Sequence, residues 1–261
     1  MKIALIAIGR LENQYAREWV EHHLKVGFDR IIIADNNHND EEDFREVVGD
    51  YVANRRVKIE NYRGRERAQR LAYNELYEKY SRKYDWLAFF DFDEFLCLED
   101  GLESVQQLIA RHEDKADCVM VPWMVMTDNN LIRNDHRPLM ERFTERADYI
   151  SLGKCIIRSG IDGVRFTKSV HVPYHPTLRC VSPAGFPCQQ KRQQQPEYIV
   201  AYLKHFSTKT IEEWLTNKWR KGTAGISYEV FKEKYADYFF SINERTPEKE
   251  EFINNYNTNC V

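Results

Sequence analysis

The sequence predicts an α/β fold with a mostly parallel central sheet. Three observations carry this expectation. Short apolar runs recur along the first hundred residues, at Lys2–Ile8, Arg30–Ala34, Val57–Asn61 and Trp86–Phe90. The segments between them repeat their apolar residues at helical spacing. The first and fourth runs are apolar almost throughout, as strands covered on both faces are. A strand–helix series of this kind closes with right-handed crossovers into a parallel sheet. Such sheets bind ligands beyond the carboxyl ends of their strands. Asp35 and Asp91 each end a run, so the fold would bring them to one edge.

The individual elements follow from local signals. Tyr15, Trp19, His23 and Val26 mark a first helix. Arg30–Ala34 ends in the turn-rich Asp35-Asn36-Asn37-His38-Asn39-Asp40. Glu41–Val48 reads as a short helix. Ala68, Leu71, Ala72, Leu76 and Tyr80 mark a third. Asp100 with Glu103 resembles a capping box that opens a helix to about Arg111. Val119–Met126 is strand-like, and short strands are expected between Cys155 and Val172. Pro173–Pro196, rich in Pro and Gln, reads as a long loop, and Tyr198–His205 as a strand. Thr210 with Glu213 is a second capping-box candidate. The helix it opens would carry Ile211, Trp214, Leu215 and Trp219 on one face and stop near Gly222. The tail beyond Arg245 is polar and is expected to be loosely ordered. No internal repeat is visible.

Bulk properties exclude several classes. A chain of 261 residues fits one large domain, or a domain with a small appendage. Apolar residues at 43% supply a core, and charged residues at 30% a solvated surface. The net charge of -3, from 38 basic and 41 acidic residues, argues against a nucleic-acid binder that relies on a basic surface. The six cysteines form no C-x-x-C pair and are expected to be free thiols of a reducing compartment. The first apolar run is too short for a signal peptide. No stretch reaches the roughly 18 apolar residues that a membrane span needs. A soluble protein is expected, attached at most to a membrane surface.

The sharpest chemical feature is Asp85-Trp86-Leu87-Ala88-Phe89-Phe90-Asp91-Phe92-Asp93-Glu94-Phe95. Three carboxylates follow a greasy strand. Burying an unpaired carboxylate costs several kcal/mol, roughly, and a cation at the strand end offsets that cost. Carboxylate oxygens suit a hard ion, Mn²⁺ or Mg²⁺. A D-x-D pair can hold an ion that also bridges two phosphates and neutralises charge on a leaving nucleoside diphosphate. The competing reading is an acidic turn that caps a helix.

Beyond this motif the sequence resembles a known family. ENQYAREWVEHH at 12–23, GFDR at 27–30, DNN at 35–37, RAQR at 67–70 and DWLAFFDFDEF at 85–95 are similar to segments of the DUF23-like glycosyltransferases, also called family 92, and of related family-2-like enzymes. GKCIIR at 153–158, KHFSTK at 204–209 and KWRKG at 218–222 continue the likeness. The resemblance implies a GT-A fold, the Rossmann-like nucleotide-diphospho-sugar transferase architecture. It would occupy residues 1–225, with a nucleotide-binding half over 1–100 and an acceptor half over 101–225. A helical, polar extension would follow over 226–261. A nucleotide-sugar donor (a UDP-sugar first), a saccharide or glycolipid acceptor and a divalent cation are implied. So is inversion at the anomeric centre and, in a bacterium, a part in capsule or lipopolysaccharide synthesis. Animal members carry a membrane anchor before this domain. This chain opens at its first strand, which sets the expectation of a bacterial-type soluble enzyme, or a trimmed one, in the cytoplasm and at most peripheral to the inner face of the membrane.

Carried over by residue, the resemblance puts Asp91 and Asp93 on the metal, with His205 completing the cation or diphosphate site. Otherwise His205 is a strand-end hydrogen-bonding residue. Asp35 is placed for the base or ribose, or else is an Asx-turn residue. Arg63, Arg65, Arg67 and Gln69 could reach the diphosphate, in competition with a solvated helix face. Lys154 and Arg158 could also face phosphate. A general base is wanted near the acceptor hydroxyl. Asp128 is the first choice, with Asp135, Glu141 and Asp162 competing. Glu94 serves the reaction directly or orients the metal pair. His171 and His175 could line the acceptor groove, and Trp123, Tyr174 and Phe186 could stack on sugar rings, or all could be structural. Three other functions compete. A sugar-phosphate nucleotidyltransferase would show a Gly-rich loop after the first strand, where this chain has Gly9-Arg10-Leu11-Glu12-Asn13. A D-x-D phosphatase would carry its pair after the first strand. A non-catalytic carbohydrate-binding protein would have a degenerate site.

Overall fold

The computed structural model describes residues 1–148, 153–188, 197–218 and 236–259. The strands are β1 (Ile3–Gly9), β2 (Arg30–Asp35), β3 (Val57–Asn61), β4 (Trp86–Phe89), β5 (Glu94–Leu98), β6 (Cys118–Val125), β7 (Gly153–Arg158), β8 (Cys180–Val181) and β9 (Ala201–His205). The helices are α1 (Asn13–Lys25), α2 (Arg45–Ala53), α3 (Gln69–Tyr80), α4 (Val105–Ala110), α5 (Leu139–Arg142), α6 (Ile211–Glu213) and, after helical residues 236–242, α7 (Pro247–Asn259). The chain divides into two compact units. One is Met1–Trp123 with Ile150–Lys204, the other Met124–Tyr149 with His205–Val261.

The first unit is built on the sheet, whose order is β3-β2-β1-β4-β7-β6-β9-β5, with β8 beside β6. β1 pairs in parallel with β2 and β4, and β2 with β3. That is the series the apolar runs predict. β7 then enters antiparallel between β4 and β6, so the sheet is mixed. Gly153, the first residue of β7, permits this insertion, because a Cβ there would lie 2.0 Å from the Val121 carbonyl oxygen. Helix α1 buries Tyr15, Ala16, Trp19, Val20 and His23 at i, i+4 spacing.

Several boundaries differ from the sequence expectation. Helix α2 runs over Arg45–Ala53, not Glu41–Val48. Glu41 and Glu42 serve as cross-loop anchors instead of first-turn residues. Glu41 pairs with Arg10 at 2.6 Å, and Glu42 accepts the Asn13 N–H at 3.0 Å. Helix α3 buries Ala72, Tyr73, Leu76, Tyr77 and Tyr80, and leaves Leu71 exposed. Helix α4 is capped by Ser104, whose hydroxyl accepts the Gln107 N–H; Asp100 instead pairs with Arg111 at 2.7 Å. Strand β5, directly after the acidic turn, was not expected. Past Arg158 the described residues show two isolated bridges, Arg165 with Tyr174 and Val181 with Pro187, while β8 lies inside the expected loop. The five cysteines described are free thiols.

The second unit is held by buried polar pairs and an aromatic cluster. The Thr210–Glu213 capping box forms as expected. Helix α6 passes into a π-helical turn, Trp214–Lys218. Trp219, Gly222, the stretch 226–235 and Cys260 lie outside the described residues. Glu213 also takes both arms of the Arg142 guanidinium at 2.9 Å, and both residues are buried. Ile211, Trp214 and Phe239 form an apolar cluster to which Phe252 and Ile253 of α7 add. The polar tail is therefore ordered over Pro247–Asn259. Its anchor is Lys249, fully buried, with its ammonium 2.6 Å from Asp128 Oδ2 and hydrogen-bonded to Asn130 Oδ1 and the Glu244 carbonyl.

Asp128, expected as a general base, lies in this pair. Its carboxylate is 1% exposed, accepts the Asn130 N–H and is paired with Lys249. The pair is structural. Asp128→Ala should destabilise the protein by about 3–5 kcal/mol in urea unfolding, because it strands a buried ammonium. Asp128→Ala combined with Lys249→Met should recover most of that loss.

Candidate active site at the end of the fourth strand

β4 is buried at every position, and the Phe90 N–H still donates to the Ile6 carbonyl at 3.2 Å. The chain then turns sharply through Asp91–Glu94, where the Glu94 N–H donates to the Asp91 carbonyl at 3.1 Å. The aromatic residues of the motif fix this turn. Phe92 stacks on Phe44 with centroids 5.1 Å apart and touches Trp19 at 4.7 Å. Gly9 ends β1 beneath them, and a Cβ there would come within 2.6 Å of the Phe92 ring. Helix α1 locks the following strand. Trp19 Nε1 donates to the Glu94 carbonyl at 2.9 Å, and His23 Nε2 accepts the Leu96 N–H at 3.3 Å.

The three carboxylates have different surroundings. Asp91 Oδ1 accepts from Gln69 Nε2 and from the Tyr73 hydroxyl, both at 3.0 Å. Its Oδ2 accepts from Lys154 Nζ at 2.7 Å. Burial, then Asp91, push the Tyr73 hydroxyl well above its usual range, so it stays a donor. Glu94 is fully buried. Its Oε2 accepts the Asp91 N–H at 2.8 Å. Its Oε1 has no hydrogen-bond partner among the described residues and lies 3.8 Å from Lys154 Nζ. Burial pushes the Glu94 carboxyl well above the usual carboxylate range; Lys154 opposes the rise, and Asp91 and Asp93 add to it. Asp93 is half-buried and places a carboxylate oxygen within 4.8 Å of one from Glu94. Burial disfavours the Lys154 ammonium, but Asp91 and Glu94 reverse the balance and hold it charged.

The structure thus brings Asp91, Asp93, Glu94, Gln69 and Lys154 into one cluster. Two expected donor-binding residues are committed elsewhere. Asp35 is 1% exposed; its Oδ1 takes the Asn37 N–H and side-chain amide, and its Oδ2 takes Arg63 Nη1 at 2.7 Å. Arg63 spends its other donors on the carbonyls of His38, Glu41 and Glu42. Both therefore pin the loop after β2. Arg67 is exposed with a φ of 50°. His205 is the last residue of β9 and belongs to the second unit, so its ligand role stays as the resemblance implies. Tyr174 and Phe186 are exposed, whereas Trp123 is buried edge-on against His171 at 5.1 Å. Sequence reasoning missed Tyr73. Its spacing of four from Gln69 in α3 is the signal that both face Asp91.

The chain belongs to glycosyltransferase family 92, whose model matches residues 10–238. No curated protein matches it. Among solved structures, S. aureus TarS 1-349 aligns with 97% of this chain and 69% of its own, at 11% identity and a TM-score of 0.45. A TarS 1-349 structure in complex with UDP aligns with 51% of this chain and 38% of its own, at 14% identity and a TM-score of 0.39. The mannosyltransferase PcManGT from Pyrobaculum calidifontis, in complex with GDP-Man and Mn2+, aligns with 46% and 35%, at 9% identity and a TM-score of 0.36. In several of these matches the chain spans well under half of the other protein, down to 22%. Likenesses at this level carry no argument; the family match does. Among the described residues no helix is long and apolar enough to cross a membrane.

His171, beside this cluster, yields a pH dependence. Burial, then Lys154, lower its pKa to about 4, with Asp91 opposing. An unfolded histidine titrates near about 6.5. Between these values the unfolded chain binds the extra proton, so this contribution to stability is complete above pH ~6.5 and is lost as the pH falls towards ~4. Burial lowers His22, His23 and His112 in the same direction. Urea unfolding in EDTA should show stability declining over this range, and His171→Gln should flatten the decline.

Proposed function

We propose that this family-92 enzyme moves a sugar from a nucleoside-diphosphate donor, a UDP-sugar first, to a saccharide or glycolipid acceptor, with Mn²⁺ or Mg²⁺ at the end of β4. The observation that supports the cation is Glu94 Oε1. A fully buried carboxylate oxygen without a hydrogen-bond partner is costly unless a positive charge completes it. Asp93 stands beside it, and an all-oxygen pair suits a hard divalent ion. The residues therefore fit the group. Asp93 and Glu94 would hold it, and the resemblance adds His205 to the proposed ligands. When bound, the cation neutralises charge on the departing diphosphate.

The chain's own residues do the rest. Trp19, Phe92 and Phe44 fix the turn so that the carboxylates need no reorganisation when substrate arrives. Gln69, Tyr73 and Lys154 set Asp91, whose N–H in turn sets Glu94. The exposed rings of Tyr174 and Phe186 suit stacking on a sugar face. On the resemblance alone, the proposal extends to inversion, to surface-polysaccharide assembly and to a cytoplasmic enzyme at most peripheral to the membrane.

The test is calorimetry of UDP against the protein with Mn²⁺ and with EDTA. Binding is expected only with the ion; equal affinity in EDTA would remove the cation from the proposal. Asp93→Ala should abolish transfer while leaving the far-UV circular dichroism and the unfolding midpoint close to the parent's. Retained turnover in that variant would take Asp93 out of the mechanism.

A further inference from the structure

A D-x-D reading puts Asp91 on the cation, but its carboxylate is already engaged. Two donors occupy Oδ1 and the Lys154 ammonium occupies Oδ2. None of the three is easily withdrawn. Tyr73 is buried against Phe89 and Phe166 at 4.9 and 5.2 Å. Gln69 also reaches the Tyr73 hydroxyl, at 3.4 Å. Lys154 is 0% exposed and follows Gly153, which lies hard against the Val121 carbonyl. A buried ammonium is tolerable only where carboxylates surround it, and Asp91 and Glu94 do.

We propose that Lys154 is a built-in counter-ion that holds Asp91 out of the cation's coordination and leaves Asp93 and Glu94 Oε1 as the carboxylates that take the ion. The proposal rests on the cation-dependent reading above and deepens it. Lys154 acts as a positioning residue, through two links. It fixes the Asp91 carboxylate, and the Asp91 N–H fixes Glu94 Oε2, so that Oε1 is the oxygen left over. It also sets the charge. Its ammonium lies 2.7 Å from Asp91 Oδ2 and 3.8 Å from Glu94 Oε1, so it offsets negative charge on the side of the cluster away from Asp93. Without the ammonium that offset would be lost, and Asp91 would compete for the ion.

The experiment is titration of the metal-free protein with Mn²⁺, followed by the electron paramagnetic resonance of the free ion, with no nucleotide or acceptor. Asp93→Asn and Glu94→Gln should each weaken binding more than about a hundredfold, whereas Asp91→Asn should weaken it less than about tenfold, beyond and within the usual reach of outer-shell changes. Lys154→Met should tighten binding by about tenfold, as loss of a nearby positive charge does. A merely structural lysine would give weaker binding when removed. Should Lys154→Met not fold, Asp91→Asn with Lys154→Met removes the pair as a unit, and Mn²⁺ affinity within about threefold of the parent supports the proposal. Loss of Mn²⁺ binding in that double variant overturns it. So does Asp91→Asn losing as much affinity as Asp93→Asn, or weaker binding by Lys154→Met. A parent protein that binds no Mn²⁺, alone or with UDP, overturns the cation reading itself and this inference with it.

Discussion

The structure depends on how a fully buried, fully apolar strand can end in carboxylates. Water would stabilise such charges, but Glu94 has no access to it and Asp91 is only partly exposed. Fixed donors take water's place. Asp91 has three, and its backbone N–H serves Glu94. Lys154 supplies the only buried positive charge described in the first unit. One oxygen of Glu94 has no hydrogen-bond partner among the described residues, and that residual cost is the one the proposed ion would relieve.

The surrounding elements serve this arrangement. β1 ends in a glycine so that the Phe92 ring can lie across it, and β7 begins in one so that Lys154 can arrive beside Asp91. Helix α1 reaches over the turn with Trp19 and His23. Helix α3 contributes Gln69 and Tyr73 from one face. Neutral, buried histidines and protonated tyrosines in these elements keep further charge out of the layer. The family match over residues 10–238 spans all of these parts except β1.

The parallel half of the sheet was legible in the sequence because each of its strands is a bounded apolar run, and continuous burial leaves few other readings. β5 was not, because it starts on a carboxylate and pairs only through tertiary contacts. The antiparallel entry of β7 was not, because it depends on pairing with strands distant in sequence and on a close approach at Gly153. Of the site, the run of carboxylates after β4 was visible in the sequence, whereas the hydrogen bond from Gln69, expected to reach a diphosphate, to Asp91 was not. The internal partners of Asp35, Arg63 and Asp128 were not legible for one reason. A carboxylate or guanidinium at a strand end looks the same in sequence whether it faces a ligand or an internal partner. Only the fold shows that Arg63 closes on Asp35 and that Lys249, from a tail expected to be loose, closes on Asp128.

The central claim is that an ion completes the buried carboxylates at the end of β4. Anomalous diffraction at the manganese edge, from crystals soaked with Mn²⁺ and UDP, tests it most directly. A single peak in contact with Asp93 and Glu94 Oε1, with Asp91 still on Lys154, is the expected result. An empty strand end in a crystal that holds the nucleotide, or carboxylates turned out to solvent, would contradict it.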